Sequence, residues 1–410
     1  MVASNAQLTV SPGCVVRFAK SDSSHSGIDA TRCELIVQGT LVADGNSQSK
    51  PTFSSATSSP AANDWRGIRL RPGNTDNLID NCVIKYAYTG VEACSTTVTV
   101  DSCTVSNFSN DGIKAIASTV TLTRDSLLVG STGVRGIELT STTSGTVEHN
   151  TITGSGSGIT YGVEIKDSAF PDVEYNLIDG VKHGIRSSAA SSFDIAHNRV
   201  KNTTGNGIQC AGDAVPIVRY TTIENFQGVG ITAADYAIPD LGASADSGSN
   251  RVYTSQSFNY YVANLGQDPV TALYNWWGTK TPSSQKFYGD VDYLPCDTLD
   301  PGTSYMLPLL PVASPAPGAP YALQSYPNPF NPRTTIEYGV SEPGVHVRVA
   351  VYDISGRVLR LLVDKPQPAG RFSVTWDGRN DRGDALASGV YFYEVAVGDF
   401  RQARKLVVLK

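Results

Sequence analysis

The residues best suited to chemistry are charged side chains that recur at one place in a repeating sequence. Arg69, Glu92, Lys114, Glu138, Glu164 and Arg186 each stand two positions after a glycine, with Ile or Val between; Gln209 and Thr232 continue the series. Their signs mostly alternate, and the exception is Glu138 followed by Glu164. Adjacent carboxylates raise the pKa of one of the two or gather a hard cation. Lys166, Asp167 and Arg186 lie close by in sequence. Such a set suits abstraction of the α-proton of a uronate, in which a cation neutralises the carboxylate and a base takes the proton. Glu138, Glu164, Lys166 and Arg186 are therefore the candidate catalytic residues, and the six charged positions together are candidate binding residues. The plainer reading is a surface ion-pair ladder, worth about 0–1 kcal/mol per exposed pair, that pins the register of the repeats.

Other reactive side chains form no familiar constellation. The histidines are His25, His149, His183, His197 and His346. His149 and His197 directly precede Asn150 and Asn198, which points to turn packing, and only His183 falls near the charged series. The seven cysteines show neither CxxC nor Cys/His zinc spacing. Cys82 and Cys103 fall at equivalent places, as a buried thiol ladder or a disulfide. No clustered aspartates supply a calcium cage, so neither a metal nor a cofactor is expected. Nineteen tyrosines leave room for stacking on sugars if they align.

These side chains sit in a repeat. The motif Gly-Ile/Val-polar-small occurs at Gly67, Gly90, Gly112, Gly136, Gly162, Gly184, Gly207 and Gly230, at intervals of 22 to 26 residues. A fixed period of this length implies a solenoid. A second series places aliphatics at Ile84, Val105, Leu128, Ile152, Ile178, Val200 and Ile223. Two residues before each stand Cys82, Cys103, Ser126, Asn150, Asn176, Asn198 and Thr221. The period-2 alternation indicates strands, and no segment is long enough for a helix per repeat. Near 158–163 the register is read through Gly162, because Gly162-Val163-Glu164-Ile165 matches its neighbours. Trp276 and Trp277 are expected to plug the last coil, where the edge needs protection.

Bulk composition agrees. Charged residues are only 17% of 410, and the net charge is −6. An acidic balance argues against nucleic acid as a partner, since phosphate binding needs a basic face. No run of about 18 apolar residues is present to span a membrane. The N-terminus lacks the basic and apolar regions of a signal peptide, so an export signal is expected to have been removed or to precede this sequence.

The order PGCVVRF, LIVQGTLVADG, WRGIRL, the repeated GI/GV motifs and the terminal NWWG resemble the right-handed parallel β-helix repeat families over roughly residues 5–295. The resemblance implies a pectate-lyase-like solenoid, a fold shared by polysaccharide lyases, hydrolases, carbohydrate binders and adhesins. The paired Asp and Gly-His-Gly of pectinase-type hydrolases are absent.

Residues 307–320 carry five prolines, a semi-rigid spacer. About 90 residues of alternating strands follow, the pattern of a β-sandwich. Pro327, Asn328, Pro329, Phe330, Asn331 and Pro332 open this region. Val351-Tyr352-Asp353, Trp376-Asp377-Gly378 and Ala387-Ser388-Gly389-Val390-Tyr391 follow, and Lys405 to Lys410 close it. These motifs resemble the type A sorting domain of type IX secretion, which is similar to the Ig-like domain of flagellar hook-capping proteins. The resemblance implies secretion machinery as a partner and an outer-membrane-surface or secreted location.

The sequence thus gives an all-β chain. Residues 1–306 form a right-handed parallel β-helix, 307–320 a linker, and 321–410 an Ig-like sorting domain. The expected role is binding, adhesive or structural. A lyase acting on an acidic glycan and a self-assembling appendage subunit are the alternatives, and polysaccharide is the expected ligand.

Overall fold

In the computed structural model the described residues are 1–298, except 26, 73–75, 131–132, 155–159 and 244–246. Further on they are 324–326, 334–340, 344–353, 357–367, 370–398 and 400–408. The chain separates into two compact units, Met1–Leu310 and Pro311–Lys410.

The first unit is a right-handed parallel β-helix. Its coils contribute strands to three parallel sheets of nine, ten and eleven strands among the described residues. The first sheet begins at Gln7–Val10, the second at Val15–Phe18 and the third at Glu34–Val37. Alternation along each short strand sends every second side chain inward. On the third sheet Ile68, Val91, Ile113, Ile137, Val163, Ile185, Ile208, Ile231 and Val262 pair in that order. All are buried. Each such side chain contributes about 1.5–3 kcal/mol by leaving water.

The glycine of the motif is required by close approach. A Cβ on Gly136 would lie 2.6 Å from the carbonyl oxygen of Gly162 and 2.7 Å from the Ile152 methyl. Gly112, Gly162, Gly184, Gly207 and Gly230 meet the same two obstacles, the backbone of the next coil and an aliphatic of the second sheet. The repeat is thus the trace of a corner where two strands and a neighbouring coil converge.

Another corner carries a hydrogen-bonded spine. The backbone N–H of Asp125 donates to the Asn150 side-chain oxygen at 2.9 Å. The Asn150 N–H donates to Asn176 at 2.9 Å, and the Asn176 N–H to Asn198 at 3.0 Å. The series begins at Cys82 and Cys103 and continues through Thr221, Asn250 and Asn275. A buried amide at a corner has no ladder partner, and the side chain of the next coil supplies one. The residue before each member, from Asn81 through Arg124 and His149 to Tyr274, is in the left-handed region.

One stretch of the expected second series shifts by a residue. Val105 pairs with Leu127 and Leu127 with Ile152, so Leu127 is buried and Leu128 is exposed. Asp125, not Ser126, accordingly stands in the spine. Trp277 is buried and packs edge-on against Phe287 at 5.0 Å between centroids, closing the last coil. Trp276, expected to join it, is only half-buried and bridges to Arg251.

The second unit is all antiparallel. Gln324–Tyr326, Thr334–Val340 and Gly370–Trp376 make one sheet. Val358–Gln367, Val345–Tyr352, Gly389–Val397 and Phe400–Val408 make another. Ile336, Tyr338, Val349, Trp376, Tyr393 and Leu406 share one core between them.

Candidate functional site

The third sheet places the charged series in one row: Arg69, Glu92, Lys114, Glu138, Glu164, Arg186, Gln209 and Thr232 stand on successive coils. Glu138 faces Glu164 directly, so the register runs through Gly162.

The row is not the exposed ladder that alternation suggests. Glu138 and Glu164 are each 2% exposed, and Glu92 and Arg69 are also buried. The cover comes from longer side chains on either side of the row. Arg135 reaches across both carboxylates, with Nη1 3.0 Å from Glu164 Oε2 and 3.5 Å from Glu138 Oε1. Lys166 pairs closely with Glu138 and lies 3.7 Å from Glu164. Lys114 Nζ stands 2.8 Å from Glu138 Oε2, and Arg186 Nη1 donates to Glu164 Oε1 at 2.8 Å. The like-charge pair therefore carries two bridging cations and one further cation for each carboxylate. Burial pushes the Glu138 carboxyl up, but the hydrogen bonds from Lys114 and Lys166 and the Arg135 charge outweigh it and hold it below its usual range. Arg135 is anchored by donating from Nε to Asp111 at 2.6 Å.

The same construction recurs nearer the N-terminus. Arg69 donates to Glu34 at 2.9 Å and to Glu92 at 3.0 Å, and Arg66 and Arg71 reach Glu92 at 3.1 and 3.3 Å. These are clusters in which Glu92, Glu138 and Glu164 each accept from two or more cationic side chains. A base for α-proton abstraction needs an accessible lone pair, whereas these carboxylates lie beneath their cations. Asp167 is the last residue of the strand Tyr161–Asp167, where its carboxylate accepts from Thr140 and from the Ser141 N–H. His183 stacks on Tyr161 at 5.4 Å, and its Nδ1 accepts the Asn206 N–H at 3.0 Å. Burial, with Lys182 and Arg186 nearby, lowers its pKa and favours the neutral ring.

Three arrangements were missed by sequence reasoning. The first is a column of rings in the turn before the spine. His149, Tyr175, His197 and Tyr220 stack at 5.0, 4.6 and 4.9 Å with interplanar angles of 11°, 3° and 7°. The signal was present, since each ring immediately precedes a spine residue. Their faces are spent on one another, so the column offers sugars chiefly ring edges. The second is an acidic column on the first sheet, where Asp44, Asp80 and Asp101 stand on successive coils. Burial, and then the Asp101 charge, pushes the Asp80 carboxyl up to about 6. Among the described residues no group of His, Cys, Asp or Glu has a metal-holding arrangement. The third is a cavity of about 340 Å³ on the second sheet, lined by Arg17, Ser54, Lys85 and Tyr86 among others.

All seven cysteines are free thiols. Cys82 and Cys103 are buried members of the spine, with the Cys82 N–H 3.3 Å from the Cys103 sulfur.

Of the sorting-motif residues, Pro327, Asn328, Pro329, Phe330, Asn331, Pro332 and Lys410 lie outside the described residues, as does the side chain of Lys405. Gly389 opens the strand Gly389–Val397. Tyr391 donates its hydroxyl to the Ala387 carbonyl at 2.9 Å and meets Trp376 edge-on.

The fold and rows define a β-solenoid protein with an appended immunoglobulin-like unit. Residues 91–239 match the family described as right handed beta helix region, and residues 331–399 match the FlgD Ig-like domain. No curated protein matches the chain. Among solved structures it is similar to dimeric latent PorU from Porphyromonas gingivalis, at 21% identity over 21% of this chain and 9% of that one, with a TM-score of 0.19. It is also similar to PorZ of the same organism, an essential bacterial surface component of the type-IX secretion system. That likeness is 24% identical over 22% of this chain and 12% of PorZ, with a TM-score of 0.17. Tailspike protein 4 of bacteriophage CBA120, in its enzymatically active domain, is 9% identical over 92% of this chain and 62% of that one, with a TM-score of 0.30. The chain thus spans less than two thirds of each of these structures. Among the described residues no helix is long and apolar enough to cross a membrane.

Proposed function

We propose that this is a secreted or cell-surface protein whose solenoid binds acidic polysaccharide without cleaving it, and whose C-terminal domain engages an export machinery of the type IX kind. The observation that weighs against cleavage is the state of the charged row. Glu138 and Glu164 are buried under Arg135, Lys166, Lys114 and Arg186, so the row serves as a lock on coil register. The ordered motifs of the C-terminal region, which resemble a type A sorting domain, support the export role, and the match to a FlgD Ig-like domain supports the Ig-like fold of that region.

The binding reading is tested by retention of the full chain on a panel of uronate and sulfated polymers, with polymer length followed over time. Retention with unchanged length is expected. A rise in unsaturated-product absorbance that vanishes in Glu164→Gln would overturn it in favour of a lyase. For export, removal of residues 326–410 should leave the solenoid in the periplasm of a type IX-competent host. Normal secretion of that truncation would remove the sorting role.

A further inference from the structure

Most cations on the outer face of the solenoid are matched. On the second sheet Arg199 pairs with Glu224 and Lys201 with Asp179. At the other end of the same sheet Arg17 and Lys85 have no carboxylate partner among the described residues, and both line the 340 Å³ cavity. They flank one serine. Arg17 pairs with Ser54, and the pairing of Phe53 with Ile84 sets Ser54 beside Lys85. Successive coils are about 4.8 Å apart, so the Arg17 and Lys85 strand positions lie on either side of Ser54, roughly 10 Å from each other across the strands. Ser54 is 7% exposed, and its hydroxyl has no hydrogen-bond partner among the described residues.

The cavity is walled on purposeful terms. The segment following the strand Thr52–Ser55 turns over the sheet and brings Thr57 and Pro60 to the rim. It is pinned by Asp64, buried at 1% exposure, whose carboxylate accepts from Ser55 Oγ at 2.7 Å, Thr57 Oγ1 at 3.1 Å and the Ala61 N–H at 3.0 Å. Lys20 Nζ lies 3.5 Å from its other oxygen. The Asp64 carboxylate is therefore engaged with its own loop and with Lys20. Tyr86 completes the wall, with the Lys85 ammonium 5.6 Å from its ring centroid.

We infer that this cavity is a subsite for one acidic sugar unit, with its carboxylate or sulfate held between Arg17 and Lys85, a hydroxyl or anionic oxygen on Ser54, and its ring against Tyr86. The space is an open-sided groove of about 340 Å³, room for one monosaccharide unit with one face left to water. Two cations without a carboxylate partner among the described residues, beside an unmatched hydroxyl, favour an anion over a neutral sugar, because hydrogen bonds to a charged group are the stronger ones. The inference rests on the proposed polysaccharide-binding role and names the residues that give it specificity.

The test titrates the full chain with trigalacturonate, a sulfated galactose trimer and neutral trigalactose, by calorimetry and by amide shifts. One or both acidic trimers should bind, and which of them does so distinguishes carboxylate from sulfate. The neutral trimer should not. Arg17→Gln and Lys85→Gln should each weaken binding about tenfold and together about a hundredfold. Arg199→Gln, on the same sheet, should leave it unchanged. Retained far-UV circular dichroism separates loss of binding from loss of fold. If the double variant binds as the native chain does, or the shifts fall away from Arg17, Ser54 and Lys85, the subsite is wrong while the polysaccharide reading stands. If no acidic trimer and no acidic polymer binds the native chain, both fall.

Discussion

On each central strand of the third sheet a glycine and a charged residue are separated by one buried aliphatic. Both stand in columns of the same pitch, one at a tight corner and the other on the outer face. At the glycine the neighbours are backbone and packed methyls, which cannot yield. At the charged position they are the ends of Lys and Arg side chains, which can. Identical periodicity in the sequence therefore conceals two kinds of constraint, one steric and one electrostatic. The comparison predicts unequal responses to substitution.

The largest response should come from the corner. Gly136→Ala puts a methyl 2.6 Å from the Gly162 oxygen, and the coils must part to admit it. We expect a loss of ~3 kcal/mol. Stability in a solenoid is carried by nearest-neighbour interfaces, so the defect should split the solenoid transition in urea. An unaltered single transition would break the comparison. Asn176→Ala comes next. It leaves the Asn150 N–H without its acceptor inside the spine and should cost about 2–3 kcal/mol. Faster exchange of the Asn150 amide should accompany it.

The charged row should be more forgiving. Glu138→Leu removes one buried carboxylate, but Lys114 and Lys166 are about a quarter exposed and can turn to water. A loss of about 2 kcal/mol is expected, well below the full cost of stranding a buried charge. A larger loss than that of Gly136→Ala would invert the comparison.

How much of this the sequence disclosed follows from the same contrast. Steric constraint leaves a narrow signature, and the third sheet could be read residue by residue from its glycines, including the facing of Glu138 and Glu164. The second sheet slipped at Ser126-Leu127-Leu128, because two adjacent leucines satisfy the pattern equally and only the corner hydrogen bonds decide between them. Burial of the charged row was not legible, since it depends on Arg135 and Lys166 folding sideways over their neighbours. The Arg17–Lys85 cavity was not legible either. It exists only once the segment pinned by Asp64 lies across the sheet, and Arg17 and Lys85 are 68 positions apart in the chain.

The spine contains its own exception. Asp125 takes an asparagine position at full burial, which pushes its carboxyl well above the usual range, with Asp101 and Asp80 adding to the effect. A raised carboxylate pKa means that the folded chain holds a proton the unfolded chain releases. Stability is then greatest in acid and declines as pH rises beyond about 4. Asp125→Asn should remove that decline and gain about 1–2 kcal/mol at pH 7, with no gain near pH 3.5. Urea midpoints at the two pH values decide it.

The smallest effect separates the ring column from both rows. His197 is 9% exposed between the faces of Tyr175 and Tyr220, and burial lowers its pKa to about 4. Here the unfolded chain takes up the extra proton, so stability is lost as pH falls from about 6.5 towards 4, opposite in sense to Asp125. The tyrosine faces would attract an imidazolium and offset part of that loss. His197→Tyr keeps the stack, and tyrosine already occupies the same left-handed position at Tyr175 and Tyr220. It should match the native chain at pH 7.5 and exceed it by ~1 kcal/mol at pH 5. Equal stability at both pH values would mean that the column holds the charged ring as readily as the neutral one. The rings would then behave like the charged row, whose neighbours can adjust.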